Sequence, residues 1–141
     1  MGDDEILRMM QGYAQQAVEL AQQHKVDLDF SENSLQSLEL LLSQIGITSG
    51  DAPGASGLDE MSRIWGGYFG EVVRRRFGGD WTVEKYPQGD FHIVTLNVNG
   101  ARLFPSMKIH RRLTQGAGED LWSFYQSVRT KLLSQPGAKV Q

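Results

Sequence analysis

The sequence predicts an α+β domain in the order ααα-βββ-α: three N-terminal helices, a three-stranded antiparallel meander and a C-terminal helix. Three observations predict it. Apolar residues recur at spacings of three and four before Gly78-Gly79, and at a spacing of two after it. Asn99-Gly100 sits between two alternating runs and is the strongest local signal in the chain, a two-residue hairpin loop. A helical stripe then returns over Leu121, Trp122, Tyr125, Val128 and Leu132. The chain has 141 residues, 40% of them hydrophobic, which suits a single domain, 1–141, with one core.

The first helix is predicted over residues 3–24. Asp3, Asp4 and Glu5 occupy its first turn, where carboxylates suit the helix dipole. Ile6, Met10, Tyr13, Ala14, Ala17, Leu20 and Ala21 form a narrow apolar stripe. The second helix is predicted over 32–45, with Ser31 as N-cap and Phe30 before it. Its stripe is Leu35, Leu38, Leu42 and Ile45, widened by Leu41, and Gly46 is placed to stop it. Residues 46–57 are rich in Gly, Ser and Pro and read as a mobile loop within the domain.

The rest of the chain is organised around residues 64–81, IWGGYFGEVVRRRFGGDW. Leu58, Met61, Trp65, Tyr68, Val72 and Arg76 form a stripe, and Gly78-Gly79 ends the helix. Gly66, Gly67 and Gly70 break its regularity, each at a cost of about 0.5–1 kcal/mol relative to alanine. Gly66 and Gly70 share a face. That face is either a close contact with another element or a kink, with a ligand on bare backbone as a third reading. Arg74, Arg75 and Arg76 point about 100° apart in turn, so they form either a solvated helix end or part of a partner surface.

Residues 81–86 and 91–98 read as strands around a turn at 87–90. The Asn99-Gly100 loop sets the next register: Val98 faces Ala101, Leu96 faces Leu103 and Val94 faces Pro105. Proline cannot donate to the ladder, so a break or bulge is expected at Phe104-Pro105. Beyond it Met107, Ile109 and Arg111 alternate with Lys108, His110 and Arg112, which reads as further strand with a solvated basic edge. Residues 114–118 form a loop, 119–134 the last helix, and 135–141 a disordered tail.

The net charge of −3 hides an asymmetry. Residues 1–60 hold 11 acids against Arg8 and Lys25, while residues 61–141 hold 6 acids against 12 Lys and Arg. Either the halves neutralise each other across one core, or an acidic face docks a basic partner. Cysteine is absent, which excludes disulfides and thiolate metal sites. The acidic start MGDDEILRMM lacks the features of a secretory signal, and no apolar run approaches a membrane span. A cytoplasmic protein with no membrane association is therefore expected.

No catalytic set stands out. His24, His92 and His110 are scattered, and neither an HExxH nor a Gly-x-Ser-x-Gly pattern occurs. No cofactor or metal is expected. The enzymatic alternative is a metal-dependent, nuclease-like use of Glu71, Asp80 and Glu84 beside Lys85. It suffers from Glu84 and Lys85 being neighbours that face opposite sides of a strand.

The segment Gly67-Tyr68-Phe69-Gly70-Glu71-Val72-Val73, with Gly78-Gly79 and Trp81 behind it, resembles a small uncharacterised bacterial family with a GYFGE…GG.W signature. The similarity extends to Pro105, the basic 108–112 segment and the Trp122 helix. By its size and acidic N-terminal half, the chain also resembles an immunity protein of a type VI secretion toxin. That resemblance implies a non-catalytic inhibitor that binds its cognate protein toxin and does not itself bind nucleic acid. A toxin acting in the cytoplasm commonly attacks nucleic acid, and nucleases carry basic clefts. Carboxylates can block such a cleft. Asp27, Asp29, Glu32, Glu39, Asp51, Asp59 and Glu60 are the candidate partner-binding residues. A housekeeping interaction scaffold is the remaining alternative.

Overall fold

The computed structural model describes residues 2–48 and 55–134. Asp51 and the predicted tail 135–141 lie outside the described residues, as does the middle of the predicted loop 46–57.

Helix α1 (Asp3–Gln23) buries Ile6, Met10, Ala14, Ala17 and Ala21. The buried line is narrow and rich in alanine, so a neighbour can come close. Helix α2 (Ser34–Thr48) buries Leu35, Leu38, Leu41 and Leu42. α2 starts at Ser34, two residues later than the predicted start at 32, and the Ser31 hydroxyl accepts the N–H of that first helical residue at 3.1 Å. Gly46 does not stop α2, which runs on to Thr48. A glycine inside a helix costs only about 1 kcal/mol, so it terminates one only where the chain also turns away.

Helix α3 (Ala55–Phe77) is the centre of the fold. Every residue from Ile64 to Val73 is buried, so its middle is covered all round instead of along one stripe. Phe69 reaches the C-terminal helix, with ring centroids 6.1 Å from Phe124 and 6.5 Å from Tyr125. The glycines are what let the neighbours in. A Cβ on Gly66 would stand 2.8 Å from the Ser106 backbone, and one on Gly67 2.8 Å from the Tyr13 Cβ. A Cβ on Gly70 would run into the Trp81 ring and stand 3.2 Å from Pro105. Gly66 and Gly70 thus form a close contact. Gly78 ends the helix at φ 82°, its N–H donating to the Arg74 carbonyl at 2.8 Å.

Strands β1 (Asp80–Lys85), β2 (His92–Val98) and β3 (Ala101–Leu103) form an antiparallel sheet in that order. Asn99 and Gly100 have φ of 51° and 84°, the two positive values a type I′ turn requires. Val98 pairs with Ala101 and Leu96 with Leu103, the register read from the turn. Trp81 lies opposite Leu96 on the same face. Trp81, Leu96, Val98 and Leu103 are all buried.

The predicted third strand ends early. β3 stops at Leu103, Val94 has no partner at Pro105, and the chain enters a helix, α4 (Pro105–Gln115). Pro105 sits in its first turn, where a missing N–H removes no helical bond and the fixed φ favours the helix. The buried residues of α4 are Pro105, Lys108, Ile109 and Arg112, spaced by three and four. Two of the four are cations, and this hides the helical period in the sequence. Lys108 is 3% exposed and Arg112 5%, so this segment is not the solvated basic edge the alternation suggested. A short 3-10 turn (Ala117–Glu119) leads to α5 (Leu121–Ser134). Asp120 caps α5, its carboxylate accepting the Ser123 N–H at 2.8 Å. The fold is thus α+β with three helices before the strands. Among the described residues two helices follow them instead of one.

Candidate functional site

The structure divides the six candidate acids that lie among the described residues, which exclude Asp51. Glu32 and Glu39 are turned inward. Glu32 accepts the Tyr125 hydroxyl at 2.5 Å, Arg76 Nε at 2.8 Å and Arg129 Nε at 3.0 Å. Burial raises its pKa, but the bonds from Tyr125 and Arg76 outweigh this and hold the carboxyl below its ordinary value. Burial and the same carboxylate hold the Tyr125 phenol well above its own. Glu39 receives Arg112 through both Nε and Nη2, and its Oε1 accepts the Leu121 N–H at 2.8 Å. Glu39 on α2 and Glu32 in the turn before it therefore tie this part of the chain to its basic second half.

Asp27 and Asp29 are exposed on the connection between α1 and α2. The connection has a defined shape. Lys25 and Phe30 take φ of 60° and 65°, a region that bulky side chains seldom adopt. Phe30 is held there by its N–H, which donates to the Tyr68 hydroxyl at 2.8 Å, and by its ring, 4.8 Å from the Tyr68 ring. The Arg75 guanidinium covers the Phe30 ring at 3.6 Å. Asp29 accepts the Ser31 hydroxyl at 2.6 Å and its N–H at 3.0 Å, which lowers the carboxyl's pKa. Asp59 and Glu60 are also exposed, early in α3. The rise from Asp59 to Tyr68 is about 14 Å along that helix. The four exposed acids therefore form two groups.

The acids of the nuclease-like alternative are not gathered. Glu71 is fully buried. It receives Arg74 at 2.6 and 3.0 Å and the Trp81 indole N–H at 2.9 Å. Burial raises its pKa, and these donors outweigh that and lower it. Glu84 lies on the sheet with Asn97, Thr82 and Arg102, and Asp80 is exposed at the start of β1. Among the described residues no three His, Asp or Glu side chains gather to hold a metal ion. No helix there is long and apolar enough to cross a membrane. Of the three consecutive arginines, Arg74 and Arg75 both come within ion-pair distance of Glu71, at 2.6 and 3.9 Å, and Arg76 turns away to Glu32 at 2.8 Å.

A groove absent from the sequence reading lies where α1, the start of α3, α4 and β2 meet. Its volume is about 580 Å³. Met9, Tyr13, Ile93, Val94 and Met107 supply its apolar surface, and Phe91, 45% exposed, stands at its side. Tyr13, Asp59, Arg63, His92 and His110 are its titratable groups. These residues come from four distant segments, so no local motif announced them. The faint signals were the doubled Met9-Met10 and an aromatic residue, Phe91, just after a turn.

Comparison with known protein families, curated proteins and solved structures finds no match to this chain.

Proposed function

We propose that this protein is a non-catalytic inhibitor that binds a nuclease toxin in the cytoplasm, as the immunity proteins of type VI secretion toxins do. The observation that supports this reading is how the fold distributes its acids. Glu32 and Glu39 are neutralised by the basic half of the chain. Asp27, Asp29, Asp59 and Glu60 stay exposed, with no ion pair among the described residues. Asp27 and Asp29 ride on a connection pinned to α3 by Tyr68, so little ordering would be needed on docking. Carboxylates presented this way match the phosphate sites of a basic cleft and speed the encounter.

The test leaves Glu32 and Glu39 untouched, because reversing them would disturb the fold. Immobilised protein is used to isolate a toxin from the source cell, and inhibition of that toxin's nuclease activity is measured. Association rates are then compared for wild type and the Asp27→Lys, Asp29→Lys double variant across ionic strength. The variant is expected to associate at least tenfold more slowly at low salt, converging with wild type at high salt. Absence of inhibition by the wild-type protein would refute the reading. Equal association rates at low salt would refute the role of these two acids.

A further inference from the structure

We propose that the groove between α1, α3, α4 and β2 is a binding site for a small amphipathic carboxylate, an extended apolar chain with one anionic end. Its volume of about 580 Å³ falls among those of small-molecule sites, roughly 300–1,000 Å³. Its surface suits a flexible apolar chain. Met9 and Met107 are unbranched and adaptable, and Ile93 and Val94 supply fixed contact. Phe91, its ring stacked on Tyr86, lines the groove, and exposed Val83 extends the apolar surface beyond it, since Val83 pairs with Val94 across the sheet.

The charge of the ligand follows from Arg63. Every arginine from Arg74 onward has a carboxylate within ion-pair distance. Arg8 and Arg63 are the exceptions among the described residues, and only Arg63 lines this groove. Asp59 lies one turn before it yet makes no ion pair with it. His92 and His110 add two ring-nitrogen donors that no described side chain engages. One guanidinium and two imidazoles therefore face the groove against the single carboxylate of Asp59. An anionic end can take the place that the rest of the fold gives to glutamates. This site does not depend on the acids of the proposed toxin interface, except that Asp59 borders it.

The test uses full-length, methyl-labelled protein titrated by NMR with sodium decanoate below its micelle concentration. Decyltrimethylammonium, of equal chain length and opposite charge, is the comparator. Decanoate is expected to shift the Met9, Ile93, Val94 and Met107 methyl signals saturably, with the cation binding more weakly. Arg63→Gln should weaken decanoate binding roughly tenfold by removing a charge-assisted contact. Phe91→Ser should weaken both amphiphiles alike. Arg63 and Phe91 are exposed, and an unchanged spectrum of each free variant confirms its fold. The proposal is overturned if the shifts scatter away from the groove, if both amphiphiles bind equally, or if Arg63→Gln binds decanoate like wild type. It is overturned as well if phosphatidylglycerol vesicles bind the protein while decanoate leaves those methyls unmoved.

Discussion

Glu39 and Arg112 stand 73 residues apart and meet through three hydrogen bonds, from Nε at 2.9 and 3.0 Å and from Nη2 at 2.8 Å. The pair joins α2 to α4, and the Leu121 N–H on the same carboxylate joins both to α5. Glu39→Ala would leave a nearly buried guanidinium and a backbone N–H without their acceptor. The expected cost is about 3–5 kcal/mol in urea denaturation, the range for a buried pair missing one partner. Replacing both residues, Glu39→Leu with Arg112→Met, should recover a large part of that loss, because no charge is then stranded. A double variant as unstable as the single one would show that the pair is not what costs stability there.

The contact of Gly70 with Trp81 gives a second expectation. Gly70→Ala would gain about 1 kcal/mol in helix propensity. The added Cβ would nevertheless push against a ring locked between α3 and the sheet. A net loss of about 1–3 kcal/mol is expected, and Gly70→Leu should be worse. Gly12 is the control, since a Cβ there meets nothing within 4 Å. Gly12→Ala should stabilise by about 0.5–1 kcal/mol. Equal denaturation midpoints for the two alanine variants would contradict the close packing.

The two glycine sites also show where the sequence was readable. Gly66 and Gly70, four apart on one face, left a close approach or a kink open, and the contacts with Ser106 and Trp81 decide for the close approach. Asn99-Gly100 went further, because a type I′ turn dictates a register, and Leu96 does face Leu103. The same logic failed at Pro105. The residues that bury α4 include Lys108 and Arg112, and a cation carries no apolar signal. Lys108 is covered because Glu119 lies 2.7 Å from its ammonium and the Phe124 ring lies beside it. Neither partner is near it in the chain. The ion pairs of Glu32 and Glu39 were hidden for the same reason, since acids on or beside an apolar helix look like a surface until their arginines are located. The groove lay further out of reach, being a property of four segments at once.

Glu71 gives stability a pH dependence of definite sign. Its folded pKa is depressed below the unfolded one, so its contribution is complete above the unfolded carboxylate range, about 4.3. It is lost as pH falls from there through the lower folded value. Glu71→Gln keeps an acceptor for the Trp81 indole but removes the charge that holds Arg74. The variant should be less stable than wild type at pH 7, and the gap should narrow below pH 4. Stability measured by urea denaturation from pH 3 to 7 checks this. A gap that stays constant across the range would place the effect in packing instead of charge.

Tyr68 carries the connection that presents Asp27 and Asp29. Its hydroxyl lies 2.8 Å from the Phe30 N–H and 2.6 Å from the Ser34 hydroxyl, and burial raises its pKa. Tyr68→Phe preserves the ring contact with Phe30 but strands the Phe30 N–H, while the Ser34 hydroxyl keeps the Ser31 carbonyl at 2.6 Å; the expected cost is about 1–3 kcal/mol. The loss should be uneven. Phe30 holds a positive φ that its bond to Tyr68 helps to fix, so residues 25–31 should open before the helices do. Hydrogen exchange at the Phe30 amide should therefore rise well beyond the change at α3 amides such as that of Val72. Under the proposed function the variant keeps its acids and its charge. Its association rate with the toxin should stay near wild type, while dissociation quickens as the connection must be ordered on binding. If Phe30 exchange rises only in step with global unfolding, Tyr68 supports the core alone and the connection needs no pin.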